Sequence, residues 1–201
     1  MPVYVNLKKI FIHIPRTGGT SINEYFKSKN EPVNAIYSNF KHYTYNDYKI
    51  ISDIENYEMF TVVRNPYTRI VSYFNYHMAT DNNVIQSFNM PINRQNINEI
   101  FHLYLKSNLT EIPCKYERET PLLVYKPQFS YINSNVTILK FETMNSDFNT
   151  YMGITCELPR ITSIPINYSR YDAHDLLDDT SIKLINQYYM KDFIQFNYDI
   201  L

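Results

Sequence analysis

A loop near the N-terminus carries small and hydroxyl-bearing residues in a pattern suited to anion binding. Two of the chain's three glycines, Gly18 and Gly19, lie side by side in the segment PRTGGTS at residues 15–21. An apolar run precedes this segment and a helical pattern follows it, so consecutive backbone N–H groups stand at a helix N-terminus, where the helix dipole attracts negative charge. The loop predicts a phosphate cradle; the alternative is a tight turn with Thr20 as the helix N-cap. Hydroxyl donors are added by Thr17, Thr20 and Ser21.

The loop does not match the Walker A pattern of nucleoside triphosphatases. When Gly18 is aligned with the second glycine of that pattern, G-x-x-x-x-G-K-[ST], the first glycine falls at His13 and the lysine at Gly19. The cation of the loop is Arg16, and the sequence suggests no Walker B carboxylate at a strand end. A magnesium-dependent triphosphatase is therefore disfavoured, and no metal is expected.

A second polar segment follows the apolar run at residues 59–63 (MFTVV). Residues 64–66 (RNP) come directly after this run, and apolar residues then recur at helical spacing. Pro66 suits the first turn of the helix because the N–H that proline lacks is not needed there. Arg64 would thus stand where a strand ends and a helix begins, whereas Arg69 is expected to form an intrahelical or tertiary ion pair.

The segments that must position these residues alternate between strand and helix patterns. Such alternation predicts an α/β fold, with residues 1–201 forming a single domain around a mainly parallel central sheet flanked by helices. The polar, Asn-rich segment 81–130 is interpreted as an insertion over the open end of the sheet that would shape the site of an acceptor substrate. Strands are predicted at residues 10–14, 59–63 and 136–141, and helices follow the two turns and recur at 97–105 and 181–194.

Composition disfavours several classes of function. The chain has 201 residues, a net charge of −1 and 44% hydrophobic residues, which is typical of a globular protein. A charge so near zero argues against binding nucleic acid through many phosphates. Cys114 and Cys156 have neither zinc-site spacing nor a nearby histidine pair. The N-terminal apolar stretch is too short for a signal peptide or a membrane span, so a cytoplasmic location is expected.

Together, the two polar segments resemble those of sulfotransferases. IFIHIPRTGGTSI is similar to the 5′-phosphosulfate loop of the carbohydrate branch, P-K-T-G-G/A-T-S, and FTVVRNPYTRIVSYF to the family's 3′-phosphate segment, R-N-P-x-x-R-x-x-S. The resemblance implies a P-loop-like fold and 3′-phosphoadenosine 5′-phosphosulfate (PAPS) as the sulfuryl donor. The product would be adenosine 3′,5′-bisphosphate, and the acceptor a hydroxyl, most naturally of a carbohydrate. Weaker similarity lies in residues 41–49, 126–132, 138–144 and 188–198.

The resemblance also implies roles for individual residues. Arg64 and Ser72 would hold the 3′-phosphate, because a guanidinium and a hydroxyl suit a dianion; the alternatives are a strand-end cap for Arg64 and an ordinary helix serine for Ser72. Ser169 and Arg170 would close over the nucleotide. The 5′-phosphosulfate would be held by Arg16, Thr17, Gly18, Gly19, Thr20 and Ser21.

Arg16 departs from the family pattern, in which lysine is the usual residue. The guanidinium would face the oxygen between phosphorus and sulfur and bind oxyanions through its planar fork, but arginine does not give up its proton. The resemblance therefore supports charge stabilisation by Arg16 more strongly than proton donation. The alternative functions are a non-catalytic nucleotide- or anion-binding module and a P-loop kinase-like phosphotransferase.

The acceptor hydroxyl requires a base. His42 resembles in position the histidine proposed as base in some carbohydrate sulfotransferases, and an unperturbed imidazole pKa of ~6.5 suits that task; a structural histidine is the alternative. Glu142 competes as a carboxylate base, although a capping role is favoured. His13 is expected to pack at the strand end. Gln128 either lines the acceptor cleft or is a surface amide.

Overall fold

The computed structural model describes residues 3–31, 42–49, 53–109, 125–165 and 168–201. The fold is α/β, with a four-stranded mixed sheet and flanking helices. Contacts divide the chain into two compact units. Unit 1 comprises Met1–Arg64 and Gln128–Ile161, and unit 2 comprises Asn65–Pro127 and Thr162–Leu201. The assignment of residues 1–201 to a single domain stays a prediction.

The sheet belongs to unit 1 and is mainly parallel, as the alternating pattern predicts. The strands are β1 (Val3–Tyr4), β2 (Lys9–Ile12), β3 (Glu58–Val63) and β4 (Val136–Lys140). Strand β1 is antiparallel to β2, whereas β2 and β3, and β3 and β4, pair in parallel in the order β1-β2-β3-β4. Phe11 lies opposite Phe60 in this register. The two-residue strand β1 was not predicted, because two residues are too few to show a period of two.

Helices cover one face of this sheet through an aromatic core. Among the described residues of unit 1, the helices, numbered along the whole chain, are α1 (Gly19–Ser28), α2 (Tyr45–Tyr48) and α6 (Met144–Met152). Ile22 and Phe26 are four residues apart on α1 and are therefore on one side of that helix, where they pack with Phe11 and Phe60. Phe148 of α6 joins the same cluster, with its ring 5.7 Å from that of Phe26.

Unit 2 is helical, and its core is also aromatic. Its helices in the described ranges are α3 (Pro66–Thr80), α4 (Asn82–Ser87), α5 (Ile97–Asn108), α7 (Ala173–Leu176) and α8 (Asp179–Phe196). The ring of Phe74 on α3 lies 5.1 Å from that of Phe101 and 5.2 Å from that of Tyr104, both on α5. The predicted helices at 97–105 and 181–194 are confirmed as parts of α5 and α8.

The segment 81–130 contributes to this core. Helix α5 contacts α7 and α8 and buries an apolar face within unit 2, so this part of the segment is structural core. Residues 110–124, including Cys114, lie outside the described residues, and a role in shaping an acceptor pocket stays a prediction. Within the described ranges, no helix combines the length and apolarity needed to cross a bilayer.

Candidate functional site

The glycine loop joins β2 to α1 in the predicted way, but the helix starts two residues earlier than the Thr20 alternative requires. Gly18 is the N-cap, with a left-handed φ of 85°, and Gly19 is the first helical residue. A Cβ on Gly18 would lie 2.9 Å from Met144 Sδ and 3.1 Å from the Phe141 ring. Arg16 also has a positive φ, 65°. The loop therefore needs glycine at position 18 for both its backbone conformation and its packing.

The donors that the loop offers are mainly backbone N–H groups. The first N–H groups of a helix have no acceptor within the helix, and in α1 the Ser21 N–H donates to the Gly18 carbonyl (3.0 Å). The amides of Gly19 and Thr20 are therefore those that the helix presents to an anion. The buried Thr17 hydroxyl donates to the Ile14 carbonyl (2.8 Å), so it braces the loop; the Thr20 side chain is exposed.

Arg64 directly follows β3, and four contacts within unit 1 fix it. The side-chain oxygen of Gln128 accepts from the Arg64 N–H (2.9 Å), and the Gln128 amide group donates to the Arg64 carbonyl (2.8 Å). The guanidinium carbon stands 4.1 Å from the centre of the Phe141 ring. Nη1 donates to the carbonyl of Arg16 (3.3 Å). Arg64 is thus bonded directly to the loop that carries Arg16.

His42 lies beside the same loop. Its Nδ1 is 2.9 Å from the carbonyl oxygen of His13, and the two imidazole rings meet edge to face at 4.6 Å. A carbonyl oxygen only accepts, so Nδ1 carries the hydrogen, and in the neutral ring Nε2 is the nitrogen that accepts a proton. This tautomer is the one a general base requires if Nε2 faces its substrate.

The short helix α2, which follows His42, is anchored to the sheet. Thr44 caps α2, with its N–H and hydroxyl both 2.7 Å from an Asp47 carboxylate oxygen. Tyr48 donates its hydroxyl to the Phe11 carbonyl (3.0 Å). Burial raises the pKa of Tyr48 well above its ordinary value, so this hydroxyl remains a donor throughout the physiological range. The segment that carries His42 is therefore tied to β2.

Three of the predicted nucleotide-binding residues belong to unit 2. Ser72 is half-buried on α3, two turns after the start of that helix. Ser169 and Arg170 are exposed, and Arg170 Nη2 donates to the Thr162 hydroxyl (2.8 Å). Their roles in nucleotide binding stay predictions.

Arg69 makes tertiary contacts within unit 2, and the ion pair expected from the sequence stays a prediction. Its side chain is 1% exposed, and both Nη atoms donate to the Lys126 carbonyl at 3.2 Å. Its guanidinium carbon lies 5.7 Å from the Tyr73 ring and 5.9 Å from the Tyr189 ring. The two arginines of the segment RNPYTR thus have different environments: Arg69 is buried in unit 2, and Arg64 is only half-buried.

Three further residues that the sequence analysis considered lie in unit 1. Gln128 is not a surface amide, since its side chain is fully buried against Arg64, and a place in the acceptor cleft stays a prediction. Glu142 is exposed on the 3-10 turn Phe141–Thr143. His13 packs as predicted: its ring stacks on Phe11 (5.5 Å).

Comparison with known proteins adds no further assignment: no family model, no curated protein and no solved structure matches the chain. The site is therefore interpreted from its own chemistry. Unit 1 brings together two arginines, a backbone cradle and a histidine whose tautomer is fixed, and such a set can bind an anion and accept a proton.

Proposed function

We propose that the chain is a sulfotransferase with a P-loop-like fold, which transfers a sulfuryl group from PAPS to a carbohydrate hydroxyl. The observation that carries the proposal is the hydrogen bond from Arg64 Nη1 to the Arg16 carbonyl (3.3 Å). It joins the two segments that resemble the 5′-phosphosulfate and 3′-phosphate motifs. His42 also supports the proposal, because its Nδ1 is hydrogen-bonded to the carbonyl of His13, the residue that leads from β2 into the loop.

The fit of the donor rests on the shape of the loop. Side chains at positions 18 and 19 would collide with Met144 and His13, so the loop keeps this shape only with glycine at both positions. The amides of Gly19 and Thr20 would bind the non-bridging oxygens of the 5′-phosphosulfate. Arg64 would bind the 3′-phosphate, because a planar fork matches two oxyanion oxygens.

The proposed sulfuryl transfer forms one S–O bond and breaks another. The acceptor oxygen attacks sulfur and forms a new S–O bond, while the bond from sulfur to the bridging oxygen breaks and leaves its electron pair on adenosine 3′,5′-bisphosphate. His42 Nε2 takes the proton from the acceptor hydroxyl. Arg16 stabilises the charge that develops on the departing oxygen. No metal takes part in this scheme.

The experiment that tests the proposal is calorimetric titration with three nucleotides. Adenosine 3′,5′-bisphosphate is expected to bind without added metal, adenosine 5′-monophosphate much more weakly, and ATP with magnesium no better than the monophosphate. The difference in binding free energy between adenosine 3′,5′-bisphosphate and adenosine 5′-monophosphate is the contribution of the 3′-phosphate. Equal affinity for all three would contradict the proposal, and preference for ATP with magnesium would support a kinase-like phosphotransferase.

Turnover separates an enzyme from a binding module. An acceptor screen with PAPS carrying labelled sulfate is expected to transfer label to at least one carbohydrate, with the mass gain of one sulfonate group. The Arg16→Ala variant is the control for loop-dependent transfer. Binding of adenosine 3′,5′-bisphosphate without transfer to any hydroxyl acceptor would support the non-catalytic module.

A further inference from the structure

We infer that Gln128 is a positioning residue for Arg64 and sets the 3′-phosphate preference without touching the ligand. This inference rests on the proposed function in one respect, namely that Arg64 binds the 3′-phosphate. Gln128 lies in the 3-10 turn Gln128–Tyr131, and its side chain has no exposed surface. A buried amide is costly unless hydrogen-bonded, and here both ends of the amide bond to the same residue.

The two hydrogen bonds take the place of a neighbouring strand. The parallel pairing of β3 with β4 ends at Val63 opposite Lys140, so Arg64 is the first residue beyond the ladder. The Gln128 side chain accepts from the Arg64 N–H at 2.9 Å and donates to the Arg64 carbonyl at 2.8 Å. It therefore satisfies both backbone groups of Arg64 as a paired strand would, and it fixes the direction of the Arg64 Cα–Cβ bond.

That direction matters because several rotatable bonds separate the backbone of Arg64 from its guanidinium. Nη1 donates to the Arg16 carbonyl at 3.3 Å, and the Phe141 ring centre lies 4.1 Å from the guanidinium carbon. A long side chain loses rotamer freedom when it binds, and a fixed backbone reduces that loss. Gln128 thus preorganises Arg64 for an oxyanion.

Two substitutions test this role. Gln128→Leu removes both hydrogen bonds. Gln128→Glu retains them only while the new carboxyl group is protonated, since an ionised carboxylate cannot donate to the Arg64 carbonyl. The readout is the affinity for adenosine 3′,5′-bisphosphate divided by that for adenosine 5′-monophosphate. We expect this ratio to be about tenfold lower in Gln128→Leu than in the wild type. In Gln128→Glu we expect the ratio, divided by the wild-type ratio at the same pH, to fall as pH rises.

The control is Gln95→Leu, which replaces an exposed glutamine and is expected to leave the ratio unchanged. An unchanged ratio in folded Gln128→Leu overturns the positioning role. If that variant does not fold, the pH series of Gln128→Glu decides, and a ratio parallel to that of wild type overturns the role.

A wild-type protein that does not distinguish the two nucleotides contradicts the proposed function instead. The Arg64 Nε–H resonance then tests the inference by itself. We expect its NMR chemical shift to change in Gln128→Leu and to be retained in Gln95→Leu. A shift retained in both variants overturns the positioning role.

Discussion

The imidazole ring of His13 fills the space that a side chain at Gly19 would need. A Cβ on Gly19 would lie 2.1 Å from His13 Cδ2 and 2.2 Å from Nε2. The ring is held in place, because it stacks on Phe11 at 5.5 Å and meets the edge of His42 at 4.6 Å. Packing therefore requires glycine at position 19, whereas Gly18 is also required by its φ of 85°.

This contact predicts that His13 and Gly19 are energetically coupled. Gly19→Ala is expected to lower the free energy of unfolding by about 1–3 kcal/mol, because His13 must leave its stack. In a His13→Ala background the same change is expected to cost less, since the space is then open. Urea denaturation of the single and double variants measures the coupling. Costs that add without coupling would contradict the prediction.

Gly153→Ala is the matched control for this cycle. Gly153, like Gly18, has a positive φ, 63°, but within the part of the chain that the structure describes no atom beyond its own chain neighbours lies within 4 Å of a Cβ placed there. Its replacement is expected to cost only the backbone strain of a left-handed alanine, about 1 kcal/mol. His13→Ala is expected not to relieve that cost.

Substitution of the two arginines of the RNPYTR segment is expected to affect different properties, ligand binding for Arg64 and stability for Arg69. Arg64→Ala should weaken adenosine 3′,5′-bisphosphate binding by about 2–3 kcal/mol, because it removes a charged partner of the 3′-phosphate. Arg69→Met should instead lower the free energy of unfolding by about 2–4 kcal/mol, since it removes the guanidinium donors of the Lys126 carbonyl and the contacts with Tyr73 and Tyr189. Titration and urea denaturation of both variants check the contrast. Wild-type affinity in Arg64→Ala would exclude Arg64 from the phosphate site.

Local patterns account for the parts of the fold that the sequence predicts well. The apolar run at 59–63 is buried in β3, and Pro66 starts α3 behind the Asn65 cap, whose side chain accepts from the Tyr67 N–H (2.9 Å). These features depend on residues within one turn or strand of each other. A single sequence is sufficient to read them.

The contacts that shape the site join residues far apart in the sequence. Gln128 binds the backbone of Arg64, 64 positions earlier, and no periodicity marks a lone glutamine as buried. The signal in the sequence was its place in residues 126–132 (KPQFSYI), one of the segments with weaker similarity to sulfotransferases. That similarity gives Gln128 no physical role until the fold places its side chain against Arg64. The alternative N-cap of α1, Thr20, lies two residues after the observed N-cap, Gly18. A pattern of residue types does not show that Gly18 adopts a left-handed backbone conformation, so it left both positions open.

Helix α8 provides a pH-dependent contribution to stability. Asp178 caps this helix, and the hydrogen bond from the Ser181 N–H (2.7 Å) lowers the pKa of the carboxyl group. A pKa lowered on folding stabilises the protein above the unfolded-state value of ~3.9, and the contribution is lost as pH falls through the folded-state pKa. Asp178→Ala is expected to cost about 1 kcal/mol at neutral pH and less in acid. Denaturation at pH 7 and pH 3 tests this.

Asp179→Asn is the control for the cap. It removes one negative charge from the first turn of α8 and leaves the Asp178 hydrogen bond in place. Its cost is expected to be smaller than that of Asp178→Ala at neutral pH. Equal costs for the two variants would attribute the effect to helix-dipole charge and not to the cap.

The loop arginine and His42 are expected to affect turnover more than binding. Arg16→Ala should reduce transfer about a hundredfold while donor affinity falls less, because the developing charge on the leaving oxygen makes this contact stronger in the transition state. Arg16→Lys should retain or raise the rate, since lysine supplies both charge and a proton. His42→Gln should lower the rate but leave adenosine 3′,5′-bisphosphate affinity unchanged, because only the proton acceptor is lost. The measurements are initial rates with a verified acceptor and titration of each variant. Wild-type rates in both Arg16→Ala and His42→Gln would exclude this pair from catalysis.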